Sequence, residues 1–353
     1  MAVEIYKTHR SVVYAIREAT NLYLLEEGRQ KDISRILEYY VEVDNYKGDM
    51  IPIHIVNKEF GAICDFFQDT YLGLKVYSKM NFESIPFYES INECIKPFLD
   101  INEQVLLLLA SRLVHCFFPL FTGAITPEWV LEKSQIRCDL VLKEEYALNK
   151  HQIDGVLVII YRIMEEFCPK VIQNIKISHR KGTYKLDYYK SIFKVPIECS
   201  QTTSLVYGFE NKDDGSNAID FLIQNGEDIG KKLLINPLLN LLSLQVTKLS
   251  YKQRCAIVIE TLLGFTEPTR CNVSNAMNIS VSTLQRRLRD EDTSFQEVLE
   301  ETRKHLSKSY LAEKNVSTNE IAYLLGYRSA SQFFKCFKGW FGMTPKAYRD
   351  SCI

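Results

Sequence analysis

The final stretch of this 353-residue chain repeats itself, and the repeat restricts the fold more than any other feature. Residues 273–288 read VSNAMNISVSTLQRRL, and residues 321–337 read IAYLLGYRSASQFFKCF. The offset is 48 residues at the start and 49 after one insertion, so Val273 aligns with Ile321, Leu284 with Phe333, Arg286 with Lys335 and Leu288 with Phe337. Each copy predicts a short helix, a tight corner and a second helix. Gly326 supplies the positive φ that a sharp corner needs, and Asn278, which tolerates the left-handed region, holds the matching place in the first copy. Ser280 and Ser329 are placed to cap the second helices, with Gln332 as a capping-box partner of Ser329. Each second helix then turns an apolar i, i+4 pair inward, Leu284 with Leu288 and Phe333 with Phe337.

The outward faces carry the chemistry. The first holds Val281, Ser282, Thr283, Gln285, Arg286 and Arg289; the second holds Ala330, Ser331, Gln332, Phe334, Lys335 and Lys338. Short polar residues at a helix start admit close approach to a DNA groove. Gln can bond adenine at two atoms, Arg or Lys can bond the guanine edge, and Phe334 suits a thymine methyl. The plain alternative is a solvated helix face, and two such faces on matched frames weigh against it. Charge agrees: from Tyr251 onward there are 15 Lys and Arg against 11 Asp and Glu, while the residues before hold 28 against 33. Ser294 with Glu297 and Ser317 with Glu320 form two Ser-x-x-Glu boxes, and a long helix is expected over 295–312. Thr344 followed by Pro345 reads as a cap with proline at the first helical position.

These residues resemble the DNA-binding domain of the AraC/XylS family of bacterial transcription regulators. Ser280 to Leu288 (SVSTLQRRL) is similar to the family's first recognition helix. Glu320 to Phe333 (EIAYLLGYRSASQF) and Phe337 to Arg349 (FKGWFGMTPKAYR) are similar to its carboxy-terminal signature. The resemblance implies two helix-turn-helix subdomains joined by a long helix, each placing a recognition helix in the major groove of promoter DNA. Carried over by position, the DNA-binding residues are Ser282, Thr283, Gln285, Arg286 and Arg289, then Ala330, Ser331, Gln332, Phe334, Lys335 and Lys338. Lys335 stands where the family usually has Arg, and Lys lacks the planar fork for strict guanine reading. Asp292 stands where the family has Gly, and Asp290, Glu291 and Asp292 are expected to put negative charge near the DNA side and blunt non-specific binding.

Before residue 245 the pattern is mixed. Helices are expected over 11–27, 33–40, 55–67 and 153–166, and strands over 136–143, 171–179, 193–197 and 204–209. Residues 210–217 read as a surface loop, and the leucine-rich segment 233–249 as a connecting or subunit-interface helix. The fold class is therefore an α+β amino-terminal domain followed by an all-α carboxy-terminal domain. The divisions are 1–232 for effector sensing or dimerisation, 233–250 for the connection and 251–353 for DNA binding. More faintly, Asp49 to Pro52, the Gly73-Leu74 step and 171–210 resemble the effector domain of the family's ornithine-utilisation-regulator-like branch.

Other chemistries find little support. The ten cysteines are scattered with no Cys-x-x-Cys, which fits buried thiols in a reducing compartment better than a zinc ribbon. The apolar run 105–121 contains Arg112, His115 and Pro119, so a buried strand or helix is expected rather than a membrane span. No signal core opens the sequence, and a cytoplasmic location is expected. There is no metal, nucleotide or serine-hydrolase motif, and the six histidines do not cluster. His115 and Cys116 read as a core pair, and His179 with Arg180 and Lys181 as an exposed basic turn or a grip for an acidic effector. The DNA-repair methyltransferases that share such helix-turn-helix units need a Pro-Cys-His-Arg motif, which is absent. A non-specific nucleoid protein sits poorly with a net charge of −1. The expectation is a non-enzymatic regulator, by family analogy an activator, with no cofactor and no metal. Its partners are promoter DNA, RNA polymerase, a small apolar or acidic effector and a second copy of itself. The alternative is an amino-terminal domain that only dimerises or binds a protein.

Overall fold

Spacing of apolar residues builds the amino-terminal helices. The computed structural model describes residues 7–100, 103–118, 122–123, 125–131, 135–142, 148–169, 171–179, 186–208, 249–312 and 316–351. Helix α1 (Arg10–Glu26) buries Val13, Ile16, Ala19, Tyr23 and Leu24, the stripe expected of one face at 3.6 residues per turn. It is followed by α2 (Gln30–Ile36) and α3 (Val41–Asn45). Strand β1 (Lys7–His9) pairs antiparallel with β2 (Met50–Pro52), which runs directly into α4 (Ile53–Phe67). Arg17 ties this layer together. Its guanidinium reaches Glu59 and Asp44, both at 2.7 Å, and lies 4.0 Å from the Tyr40 ring centroid.

Two glycines set the central helix crossing. Helix α5 (Leu72–Ser78) packs on α8 (Lys150–Phe167). A Cβ at Gly73 would stand 2.2 Å from the His151 carbonyl oxygen, and one at Gly155 would stand 2.5 Å from the Tyr77 ring. Backbone meets backbone at Gly73 and backbone meets a ring at Gly155, because neither residue has a side chain there. Helix α6 (Pro86–Ile95) and helix α7 (Glu103–Phe117) follow α5 in the chain. A five-stranded sheet comprises β3 (Ile125–Leu131), β4 (Gln135–Leu142), β5 (Ile172–Ile177), β6 (Ile197–Cys199) and β7 (Ser204–Gly208), in the order β3-β4-β7-β5-β6. Strand β5 is antiparallel to β7 and parallel to β6.

The strand expected over 193–197 is not formed. Residues Leu186–Phe193 are helix α9, which turns Tyr189 and Phe193, four residues apart, fully inward. Lys194 then takes a left-handed φ of 54°, and β6 begins only at Ile197. The aromatic and β-branched content suggested a strand, but the i, i+4 spacing of the two rings decides for helix. Residues 105–117 of the apolar run lie in α7, and among the described residues no helix is long and apolar enough to cross a membrane. Segments 210–217 and 233–248 lie outside the described residues.

Contacts divide the chain into two units. One comprises Met1–Glu89, Phe117–Glu128 and Cys138–Tyr207; the other comprises Ser90–Cys116, Trp129–Arg137 and Gly208–Ile353. The second unit contains helices α10 (Tyr251–Leu262), α11 (Arg270–Ala276), α12 (Val281–Arg289), α13 (Phe295–Ala312), α14 (Thr318–Leu324), α15 (Ala330–Phe341) and α16 (Pro345–Ser351). The 18-residue α13 packs against α10, α14 and α16. Helix α7 up to Cys116 belongs to this unit as well. Arg112 donates to the carbonyls of Glu260 at 2.5 Å and Leu263 at 3.3 Å, and to the Tyr310 hydroxyl at 2.8 Å. It thereby satisfies carbonyls that the end of α10 leaves open. His115, expected in the core, keeps 29% of its side chain exposed and stands 3.2 Å from the Glu260 carboxylate; Cys116 is buried as expected.

Candidate nucleic-acid interface

Helix α12 begins where Ser280 accepts a hydrogen bond from the Thr283 amide at 3.1 Å. Leu284 and Leu288 are completely buried, which fixes the rotation of the helix. Ser282, Gln285, Arg286 and Arg289 are consequently exposed, on neighbouring positions of one face. Thr283 is half-buried, its hydroxyl 2.9 Å from that of Ser280. Arg287 is also exposed, and its guanidinium lies 5.2 Å from the Tyr251 ring centroid. The three arginines in the last turn meet the negative end of the helix dipole.

Helix α15 repeats the design. Ser329 accepts from the Gln332 amide at 3.3 Å, and Phe333 and Phe337 are completely buried. The side chain of Gln332 does not complete a capping box; it is exposed with Ser331, Phe334, Lys335 and Lys338, while Ala330 is half-buried. Phe334 keeps 38% exposure, unusual for a large apolar side chain on a polar face. Arg328, just before the cap, is a cation that the repeat alone did not single out. It is exposed and 3.4 Å from Glu267. Its position outside the aligned helix hid it.

The corners and caps hold both faces in place. Gly326 takes φ 68° and Asn278 φ 51°, the left-handed corners expected of them. Arg303 on α13 donates to the carbonyls of Leu325 at 2.8 Å and Gly326 at 2.9 Å, closing the end of α14. The Ser317–Glu320 and Ser294–Glu297 boxes both form. Arg349 joins the end of α13 to the start of α14 through the carbonyls of Leu311 and Val316. Glu291 turns back to accept the Tyr251 and Lys252 amides, both at 2.8 Å, as a cap on α10. Asp292 adopts φ 53° despite lacking glycine's freedom.

His179 overturns its expected role as an exposed basic residue. Its side chain is 4% exposed, with one ring nitrogen 2.8 Å from Asp154 and the other 3.0 Å from the Thr203 hydroxyl. Tyr189 donates to the same Asp154 oxygen. Arg180 and Lys181 lie outside the described residues. Among the described residues no group of three or more His, Cys, Asp and Glu side chains could hold a metal.

A family model described as a helix-turn-helix domain matches residues 273–351. The carboxy-terminal segment is an AraC-type helix-turn-helix domain. The chain is similar to the ornithine utilization regulator of Pseudomonas aeruginosa, 36% identical over 75 residues, or 21% of this chain and 22% of that protein. It is also similar to the transcriptional activator CsvR of Escherichia coli, 33% identical over 76 residues, or 22% of this chain and 28% of that one. The regulator GadX of Escherichia coli K12 is 29% identical over 109 residues, 31% of this chain and 39% of GadX. The aligned segments thus span between about a fifth and two-fifths of these curated relatives. Among solved structures, the transcriptional regulator CdpR of Pseudomonas aeruginosa aligns over 90% of this chain and 97% of that one, at 16% identity and a TM-score of 0.38.

Proposed function

We propose that this chain is a sequence-specific, double-stranded-DNA-binding transcription regulator of the activator kind, whose amino-terminal part, 1–232, answers to a small molecule. In this reading α11 with α12 and α14 with α15 are two helix-turn-helix subdomains, and α13 is the rod between them. Residues Ser282, Thr283, Gln285, Arg286 and Arg289 read one stretch of major groove. Residues Ala330, Ser331, Gln332, Phe334, Lys335 and Lys338 read the next. The observation that carries the reading is the pair of matched helices, each capped by Ser, each anchored by a fully buried i, i+4 pair and each presenting Gln and a cation outward. RNA polymerase contact and pairing with a second copy follow from the same reading.

The test is selection of binding sites from a random duplex library by the full chain. One monomer with two reading helices is expected to enrich two short motifs about 10 base pairs apart, on one face of the duplex. Enrichment of no motif, with weak binding that depends only on salt, would overturn sequence-specific recognition.

A further inference from the structure

The first unit contains a cavity that neither reading helix uses. It lies between α1, α4, α5, α6 and α8, with Phe118, Thr122 and Ile125 completing its wall. Its volume, taken over the positions a water centre can occupy, is about 70 Å³, room for about five waters or one small ring. Its walls are Val, Ile, Leu, Phe and Tyr side chains, and none of the described lining residues carries a charge. Val12, Leu148 and Val156 are only half-buried although they line it.

Polarity is confined to a few groups. Thr8 donates to Thr122 at 3.2 Å, which leaves the Thr122 hydroxyl hydrogen directed elsewhere. Gln152 spends its oxygen on the Asn149 amide and one amide hydrogen on Asn57. A carboxylate or ammonium here would surrender its hydration without a counter-charge, which is prohibitive in apolar surroundings. An apolar molecule with one oxygen acceptor gives up little and gains the walls.

We infer that this cavity is a binding site for a compact, uncharged, apolar molecule bearing a single hydroxyl or carbonyl oxygen, held at its polar end by Thr122. The inference rests on the proposed small-molecule response of the amino-terminal part and decides its ligand class against an acidic effector. Phe118, which lines the cavity, is the residue after the end of α7, the helix whose Arg112 grips α10. Occupancy is thus one covalent step from a helix anchored in the other unit.

The experiment uses the full chain without DNA, with 4-fluorobenzyl alcohol and 4-fluorobenzoate as paired probes observed by fluorine NMR. At neutral pH the alcohol is expected to broaden at least two-fold on adding protein, and the benzoate to stay sharp. Val156→Phe, which fills the cavity from α8, is expected to abolish the broadening, and Val12→Phe does the same from α1. Thr122→Val is expected to weaken it several-fold without filling space. A sharp alcohol signal with the unsubstituted chain, equal broadening by the benzoate, or broadening unchanged in a folded filling variant would overturn the inference. If neither filling variant folds, the comparison of the two probes on the unsubstituted chain still decides. Because no DNA is present, a negative result leaves the binding-site selection untouched and refutes the cavity alone.

Discussion

Arg286 and Lys335 occupy equivalent places on the two candidate reading helices, yet they are not equivalent readers. A guanidinium can bond two guanine acceptors at once, while an ammonium acts as a point charge. Arg286→Ala is expected to weaken the selected site by about 1–3 kcal/mol and to relax one base position, measured by fluorescence anisotropy on matched and mutated duplexes. Unchanged affinity would remove Arg286 from the reading face. Lys335→Ala is expected to weaken all duplexes more evenly. These residues were legible in the sequence because local spacing alone turns them outward. His179 was not, since its neighbours Arg180 and Lys181 suggest a solvated turn, and its partner Asp154 lies 25 residues away on α8. The completely buried Asp154 takes hydrogen bonds from His179 and Tyr189. Asp154→Ala leaves those donors stranded and is expected to cost about 3–5 kcal/mol, read by urea denaturation of the first unit. A loss under 1 kcal/mol would show that the network is not fully formed.

Elements with their instructions in adjacent residues were read well. Helix α13 spans Phe295–Ala312, just as its capping box and following apolar pattern require. Helix α12 starts at Val281, directly after the Ser280 cap. Helix α9 was misread because its few residues satisfy both a strand composition and a helical spacing, and only the packing of Tyr189 and Phe193 chooses. The α5–α8 crossing could not be read at all. Gly73 and Gly155 look like ordinary helix-weakening residues until the opposing backbone and ring are known. Gly73→Ala has no room to be absorbed by a rotamer, because its Cβ meets backbone at 2.2 Å. It is expected to cost at least about 3 kcal/mol and lower the melting temperature of the first unit by several degrees. Gly61→Ala on α4, where nothing stands within 4 Å, is the matched control and is expected to be neutral or slightly stabilising. Equal melting temperatures for the two variants would refute the close crossing.

Across the whole chain, the split between an acidic front and a basic end was visible in composition, but the sharing of α7 with the carboxy-terminal unit was not. That sharing depends on Arg112 and His115 finding α10, about 150 residues later in the chain. It also has a pH signature. Burial alone would push the Glu260 carboxyl up, but the His115 ring 3.2 Å away, with the charges of Arg112 and His305, outweighs it and holds the carboxyl below its ordinary 4.5. A carboxyl so lowered stabilises the folded unit above pH 4.5, and this contribution disappears as pH falls through the lowered value. In His115→Ala the burial effect gains ground, the native value rises, and the acid-unfolding midpoint of the second unit is expected to shift to higher pH. Circular dichroism across pH 3–6 checks this, and superimposable curves would refute it. The same contact bears on transplantation. A chimaera that grafts only 251–353 onto a foreign sensor would inherit an empty socket, with the Glu260 and Leu263 carbonyls and the Tyr310 hydroxyl lacking the guanidinium that fills them here. A working transplant of this half is assembled from separated stretches of the gene, with α7 carried across as a companion piece.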